Sequence, residues 1–235
     1  MRKFLLSTAV ILIILMVATH SLNELTKSRN FQLLGEIMAK GETTEKVVAL
    51  TFDDGPAENT EEILEILRSE NTKATFFLTG YEMEMNMEAT KKIVQEGHEI
   101  GNHSYSHKRM IFKSPAFIKD EIERTDELIR QAGYQGDIHF RPPNARKLLF
   151  LPHYLQSQGR KTIMWSMEPD SFPEIARDAG KIVEHVLENV EPGSIILLHV
   201  MYENREQSLR SVKGIIEGLK QQGYTFVTVS ELLEY

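Results

Sequence analysis

Two adjacent carboxylates, Asp53 and Asp54, sit in "TFDDGP", and two histidines four residues apart, His103 and His107, sit in "HSYSH". Further along stand Arg141 before two prolines in "FRPP", Trp165 with Glu168 and Asp170 in "WSMEPD", and His199 at the end of "LLH". The set matches the needs of a metal hydrolase. Two histidines and one carboxylate hold a divalent cation and leave coordination positions open. The cation acidifies a bound water and polarises a carbonyl. A second carboxylate takes the water's proton, and a separate protonated histidine gives one to the leaving group. Each fragment alone has a plainer reading: a turn, a pair of solvated histidines, a strand entering a loop, a strand with a terminal histidine. The chemistry requires that they converge.

The elements that must bring them together alternate along the chain. Short apolar runs predict strands at "VVALTF", "KATFFLTG", "HEIGNHS", "DIHFRPP", "KTIMWSM", "GSIILLHV" and "YTFVTVSELL". Helical periodicity lies between them, in "NTEEILEILRSE", "NMEATKKIVQEG", "SPAFIKDEIERTDELIRQAG", "LPHYLQSQG", "EIARDAGKIVEHVLENV" and "NREQSLRSVKGIIEGLKQQG". Asn59 or Thr60 is the expected cap of the first of these helices, and Gly97 and Gly133 are expected stops. Such alternation predicts a parallel sheet covered by helices, either open and doubly wound or closed as a barrel. No glycine-rich phosphate loop follows the first strand, which disfavours a nucleotide-binding sheet. Every chemical fragment falls at the C-terminal end of a strand, where barrels carry their sites. Asp53 and Asp54 would face opposite sides of a strand, but a turn at Gly55 and Pro56 can aim both into one mouth. His98 precedes its strand and belongs at the opposite end.

Composition narrows the field. The 235 residues suffice for one sizeable core. The net charge of −7 argues against a nucleic-acid partner and suits a neutral or mildly cationic substrate. The absence of cysteine excludes disulfides, thiolate metal sites, a cysteine nucleophile and a lipoprotein anchor. Arg2 and Lys3 precede an uncharged apolar run, Phe4 to Ala18, which reads as an export signal. The run is short for a membrane span, which takes roughly 20 residues. His20 spoils a small-x-small cleavage pattern, so an uncleaved anchor is preferred to a cleaved signal. The expected organisation is a signal or anchor over 1–20, a linker over 21–46 that settles onto the domain near "FQLLGEIMAK", and one catalytic domain over 47–235, acting as a monomer outside the cytoplasm.

"TFDDGP", "HSYSH", "RPP", the Trp165–Asp170 segment and "LLH", with "KATFF" at Lys73–Phe77, resemble the ordered motifs of the polysaccharide deacetylases, carbohydrate esterase family 4 or NodB-homology domain. The resemblance runs from about Val47 to Leu233. It implies a distorted α/β barrel of seven or eight parallel strands, a divalent metal (Zn²⁺ first, Co²⁺ or another divalent ion in its place), and removal of acetyl groups from sugars. By motif, Asp53 is the implied base, and Asp54, His103 and His107 the implied metal ligands. Arg141 is implied to pair with Asp53, and His199 to act as acid. The backbone N–H of Asn144 is the implied oxyanion donor, with Leu198 beside the acetyl methyl and Trp165 in the substrate site.

Three departures stand out. Asn144 and Ala145 replace an aromatic residue and a glycine after the prolines, which removes a stacking ring. In "WSMEPDSF" the usual Asp-Trp pair is Ser171 and Phe172, so Asp170, Glu168 or neither supports His199. Val200 follows the last histidine, where Asp is frequent. The expected activity is N-deacetylation of amino-sugar glycans such as peptidoglycan N-acetylglucosamine or chitin-type oligomers. The alternatives are an O-acetyl esterase on xylan or a modified wall glycan, and a silent glycan-binding wall protein.

Overall fold

Strand β2 (Val47–Asp53) carries two alternating sets of side chains. Val48, Leu50 and Phe52 join the cluster packed under the helices, and Val47 and Ala49 join a second, interior cluster with Phe77, Ile163, Trp165 and Leu197. The period-2 alternation of a strand puts Thr51 and Asp53 in register with the interior set. Asp53 is therefore the last rung of an inward-facing row. The described residues of this computed structural model run from Arg2 to Tyr235; Met1 and the side chains of residues 2–6 and 9, part of the expected export segment, lie outside them.

β2 pairs in parallel with β3 (Thr75–Leu78) and β6 (Ile195–Leu198), and β3 pairs with β4 (Glu99–Asn102). Single-residue bridges carry the ring onward, Asn102 to Phe140 and Phe140 to Thr162, where β5 (Thr162–Ile163) begins. A Met167–Ile196 bridge returns to β6. The circuit closes with all these pairings parallel, giving the distorted barrel. β7 (Thr225–Val227) pairs with the first half of β2, and β1 (Ile37–Met38) pairs with β5.

The expected strand at "DIHFRPP" shrinks to one bridging residue, Phe140. Pro142 and Pro143 supply no N–H to a ladder, and Asn144 and Ala145 then turn left-handed with φ of 54° and 60°. "KTIMWSM" keeps only two strand residues, because the N–H groups of Ser166 and Met167 both go to the Ile195 carbonyl. "SELL" at the chain's end forms a short helix instead of a strand, capped by Thr228 and Glu231.

The helices follow the periodic stretches. They are α1 (Arg2–Lys27), α2 (Thr60–Ser69), α3 (Gly80–Met85), α4 (Met87–Gln95), α5 (Pro115–Gln131), α6 (Phe150–Ser157), α7 (Ala179–Asn189), α8 (Glu206–Gln221) and α9 (Val229–Leu232). Gly97 and Gly133 lie just past α4 and α5 with φ of 75° and 96°. α7 begins later than its sequence pattern, because the Asp178 carboxylate takes the N–H groups of Gly180 and Lys181. Asn59 occupies the cap position of α2 but does not cap it. Its side-chain amide donates to the Val200 and Tyr202 carbonyls at 3.2 and 2.8 Å. That pair of bonds ties the loop after β2 to the loop after β6.

Residues 21–46 lie against the barrel. Besides the β1–β5 pairing, the N–H of Gly41 donates to the Gly193 carbonyl at 2.8 Å. α1 leaves Val10 to Val17 exposed, and its Val10–Lys27 stretch is long and apolar enough to cross a membrane.

One interior contact couples the fold to the site. A Cβ on Gly101 would stand 2.4 Å from two atoms of the Phe77 ring. The guanidinium of Arg141 also lies over that ring, 3.9 Å from its centre. Gly101→Ala must push Phe77 into Arg141. The expected cost is about 2 kcal/mol of overpacking, read as a lowered urea midpoint with unchanged m-value.

Candidate active site

Asp53 ends β2 and the chain turns at once. Asp54 is left-handed, with φ of 73°, and Gly55 follows at 68°. Aspartate tolerates this region better than bulkier residues. The Asp54 N–H donates to the Phe77 carbonyl at 3.1 Å, so the turn is fixed to β3. Both carboxylates then face the same mouth. His103 Nε2 lies 3.6 Å from Asp53 Oδ2 and 3.9 Å from Asp54 Oδ1, and His107 Nε2 lies 3.3 Å from Asp54 Oδ1.

The two histidines come from a loop, not a helix face. Ser104 and His107 are left-handed, with φ of 65° and 53°. The loop is held from beneath. Asn102 accepts from the Ser104 N–H at 2.8 Å and donates to the Ile122 carbonyl and Asp126 on α5. Buried Glu121 accepts from the Ser106 N–H and hydroxyl at 2.8 and 2.6 Å. Sequence reasoning passed over Asn102 and Glu121; the only trace was a buried-face Glu in α5. His103 is buried, and its Nδ1 lies 2.8 Å from the Arg141 carbonyl. A carbonyl only accepts, so Nδ1 carries the proton and Nε2 presents a lone pair toward Asp54. Burial lowers the His103 pKa further than the Asp53 and Asp54 charges raise it.

His103, His107 and Asp54 offer ligand atoms within 4.8 Å of one another. Two imidazoles and one carboxylate suit a divalent cation with open positions. Glu168, Asp170 and His199 form a second such group; Glu168 Oε2 and Asp170 Oδ2 are already engaged, and Asp170 Oδ1 is buried without a hydrogen-bond partner. The indole N–H of Trp165 donates to Glu168 at 2.9 Å. Asp170 accepts from the His199 backbone N–H at 2.7 Å and the Ser208 hydroxyl at 3.1 Å.

Arg141 is fully buried and every arm of it is used. Nη1 donates to Asp53 at 2.6 Å and to the Thr51 hydroxyl at 2.9 Å. Nη2 donates to the Met164 carbonyl at 3.1 Å and Nε to the Ile163 carbonyl at 3.4 Å. Thr51, two residues before Asp53 on the same face, passes its own proton to the Ile196 carbonyl at 2.9 Å. Burial works to raise the Asp53 pKa, but Arg141 above all, through its charge and its hydrogen bond, outweighs it and holds the carboxyl below its usual range.

His199 stands across the mouth. Its Nδ1 is 3.4 Å from Asp170 Oδ2, which identifies Asp170 as the carboxylate beside it and Glu168 as the partner of Trp165. Burial presses the His199 pKa down, yet the Asp170 carboxylate, helped by Asp53 and Asp54, raises it to about 9. Leu198 does not line the site. It is wholly buried in the cluster under the helices, and strand alternation puts Leu197 in the interior cluster with Trp165 instead. Asn144, exposed, follows the prolines at the rim in its left-handed turn. His98 lies away from the mouth: its Nδ1 accepts from the Ala74 N–H at 3.3 Å, and burial lowers its pKa to about 4. Tyr202 was not singled out by the sequence, yet its hydroxyl donates to Glu82 at 2.5 Å in a cavity shared with Asp54 and His107.

The polysaccharide deacetylase family model matches residues 40–160. A peptidoglycan-N-acetylglucosamine deacetylase of Bacillus cereus is 35% identical over 192 residues, covering 81% of this chain and 90% of the relative. The crystal structure of a peptidoglycan N-acetylglucosamine deacetylase superposes with a TM-score of 0.79 at 33% identity, over 83% of this chain and 92% of that one. A CE4-family pseudoenzyme from Bacillus anthracis superposes with a TM-score of 0.73 at 29% identity, over 83% and 68% of the two chains. Fold, ordered motifs and relatives agree: the chain belongs to the polysaccharide deacetylase family, carbohydrate esterase family 4.

Proposed function

We propose that the chain is a metal-dependent deacetylase that removes N-acetyl groups from amino-sugar glycans of the cell wall. The observation that carries this reading is a buried Asp53 held by Arg141 and a His199 held beside Asp170 at one mouth with Asp54, His103 and His107; Asp53 is pushed toward its ionised form and His199 toward its protonated one. The two groups have opposite proton affinities, as a base and an acid acting on one substrate require. Beside them Asp54, His103 and His107 supply the donors for a divalent metal, with Zn²⁺ the best fit to two imidazoles and a carboxylate. When bound, such a metal lends Lewis acidity at the acetyl oxygen and lowers the pKa of water.

The protein's own residues supply the rest. Asp53 accepts the proton of the attacking water, and Arg141 with Thr51 fixes the carboxylate for that task. His199 gives its proton to the departing nitrogen, with Asp170 orienting the ring and keeping it charged. The Asn144 N–H at the rim is the donor assigned to the oxyanion. An acid of this strength suits an amine leaving group, which must be protonated to depart, more than an O-acetyl ester. Retention of base, acid and all three donors favours a working enzyme over a silent glycan binder. Residues 1–20 act as signal or anchor, and α1 keeps the domain at the outer face of the membrane, next to its polymer.

Two outcomes test the assignments. Asp53→Asn is expected to lower acetate release from an N-acetylglucosamine oligomer at least about 100-fold while metal content, measured on the purified protein, stays at the wild-type level; near-normal turnover would remove Asp53 from the base role. Asp170→Asn takes away the carboxylate that raises the His199 pKa. His199 then loses its proton at lower pH, so the alkaline limb of the kcat/KM profile should move toward acid. An unmoved limb would show that another group sets it.

A further inference from the structure

Helix α1 meets the barrel without a spacer. From Phe4 to Leu22 it rises about 27 Å, at about 1.5 Å per residue, close to the roughly 30 Å of a bilayer's hydrocarbon core. His20 is the only Asp, Glu, Lys, Arg or His in that stretch. The next turn is already gripped by the barrel. Arg146 Nη1 donates to the Asn23 side chain at 2.9 Å and the Thr26 hydroxyl at 2.7 Å. The Lys147 N–H donates to the Thr26 carbonyl at 2.9 Å, and its buried ammonium donates to the Ser28 carbonyl. With α1 across a membrane, Ser28 and the loop that holds it stand within about 10 Å of the hydrocarbon edge.

That loop runs straight into α6, and the side chains that open the helix, Leu149 and Phe150, are apolar and exposed. A second loop reaches the same helix. Met110 is buried with Leu151 and Leu155 of α6, and two residues on Phe112 is exposed. Phe112 is left-handed, with φ of 54°, an unfavourable conformation for a bulky residue. The turn keeps a large apolar ring in water at a cost in backbone strain.

The local charge opposes that of the chain. Among 34 acidic residues, none stands from Ile100 to Lys119 or from Ile138 to Met167. Lys108, Arg109 and Lys113 flank Phe112 and have no ion pair among the described residues; Lys113 lies 5.2 Å from the centre of the Phe117 ring. The acids of α5 that reach this side, Glu123 and Asp126, meet Tyr154 and Arg160, toward the far end of α6.

We propose that this surface at the start of α6 is a second membrane contact beside α1. Phe112, Leu149 and Phe150 enter the interface of an anionic bilayer, and Lys108, Arg109 and Lys113 face its lipid phosphates. Apolar and aromatic side chains among basic ones favour that zone, and an anionic surface attracts each cation near it. Lys108 follows His107, and Arg146 follows the proline loop at the rim, so the contact holds one edge of the mouth at the membrane. The proposal needs α1 in the bilayer and is independent of the chemistry at the mouth.

The test uses the full chain in vesicles of equal parts phosphatidylglycerol and phosphatidylcholine. The sequence has no cysteine, so Leu15→Cys, Phe112→Cys, Phe150→Cys and Glu217→Cys each place one NBD fluorophore. Glu217 lies on α8, which packs on α2 and α7. Lipid-borne nitroxide should quench the labels at 15, 112 and 150 and leave the label at 217 bright. Lys108→Glu, Arg109→Glu and Lys113→Glu together should abolish quenching at 150 and leave it intact at 15. Labels at 112 and 150 no more quenched than that at 217 overturn the contact while the anchor stands. A label at 15 left bright overturns both. If soluble poly(glycerol phosphate) shields the label at 112 from aqueous iodide and vesicles do not, the surface serves an anionic wall polymer and the membrane contact is overturned.

Discussion

The buried pair between Arg141 and Asp53 organises the mouth of the barrel. Both side chains are almost wholly out of water, and breaking such a pair by removing one partner costs about 3–5 kcal/mol. The guanidinium spans the barrel interior from Thr51 to the carbonyls of Ile163 and Met164. Its own carbonyl sets the His103 tautomer. One residue thereby fixes the Asp53 carboxylate and the orientation of the His103 ring. Phe77 supports it from one side, and Gly101 leaves room for that ring.

His199 completes the arrangement from the opposite side. Asp170 keeps it charged, and Asn59 ties the loop after β6 to the loop carrying Asp53 and Asp54. Asp53 and His199 are separate in sequence but are locked into one frame by neutral hydrogen bonds. The N-terminal extension belongs to the same frame, since the end of α1 binds Arg146 and Lys147, just after the proline loop.

Much of this was legible in the residues. Strands β2, β3 and β6 are largely apolar runs, and chemical groups stand at the ends of β2, β4 and β6. What escaped depended on tertiary context. Phe140 is the only bridging residue of its stretch because prolines follow it, and no local pattern distinguishes that from a strand. Ile37–Met38 form β1 only because β5 offers an edge. Asn59 looks like a helix cap, but two distant carbonyls claim its amide. The choice between Asp170 and Glu168 turned on a 3₁₀ turn at Pro169–Ser171, which spacing alone could not fix. Leu198 was assigned to the acetyl pocket by position in its motif, whereas strand alternation sends it outward.

The central claim is that the metal and the base occupy adjacent but distinct carboxylates. Diffraction at the zinc absorption edge from crystals of the zinc-loaded full chain measures this directly. The account predicts one anomalous peak bonded to Asp54, His103 and His107, with Asp53 still paired to Arg141. A peak bonded to Asp53, or one seated on Glu168, Asp170 and His199, would contradict it.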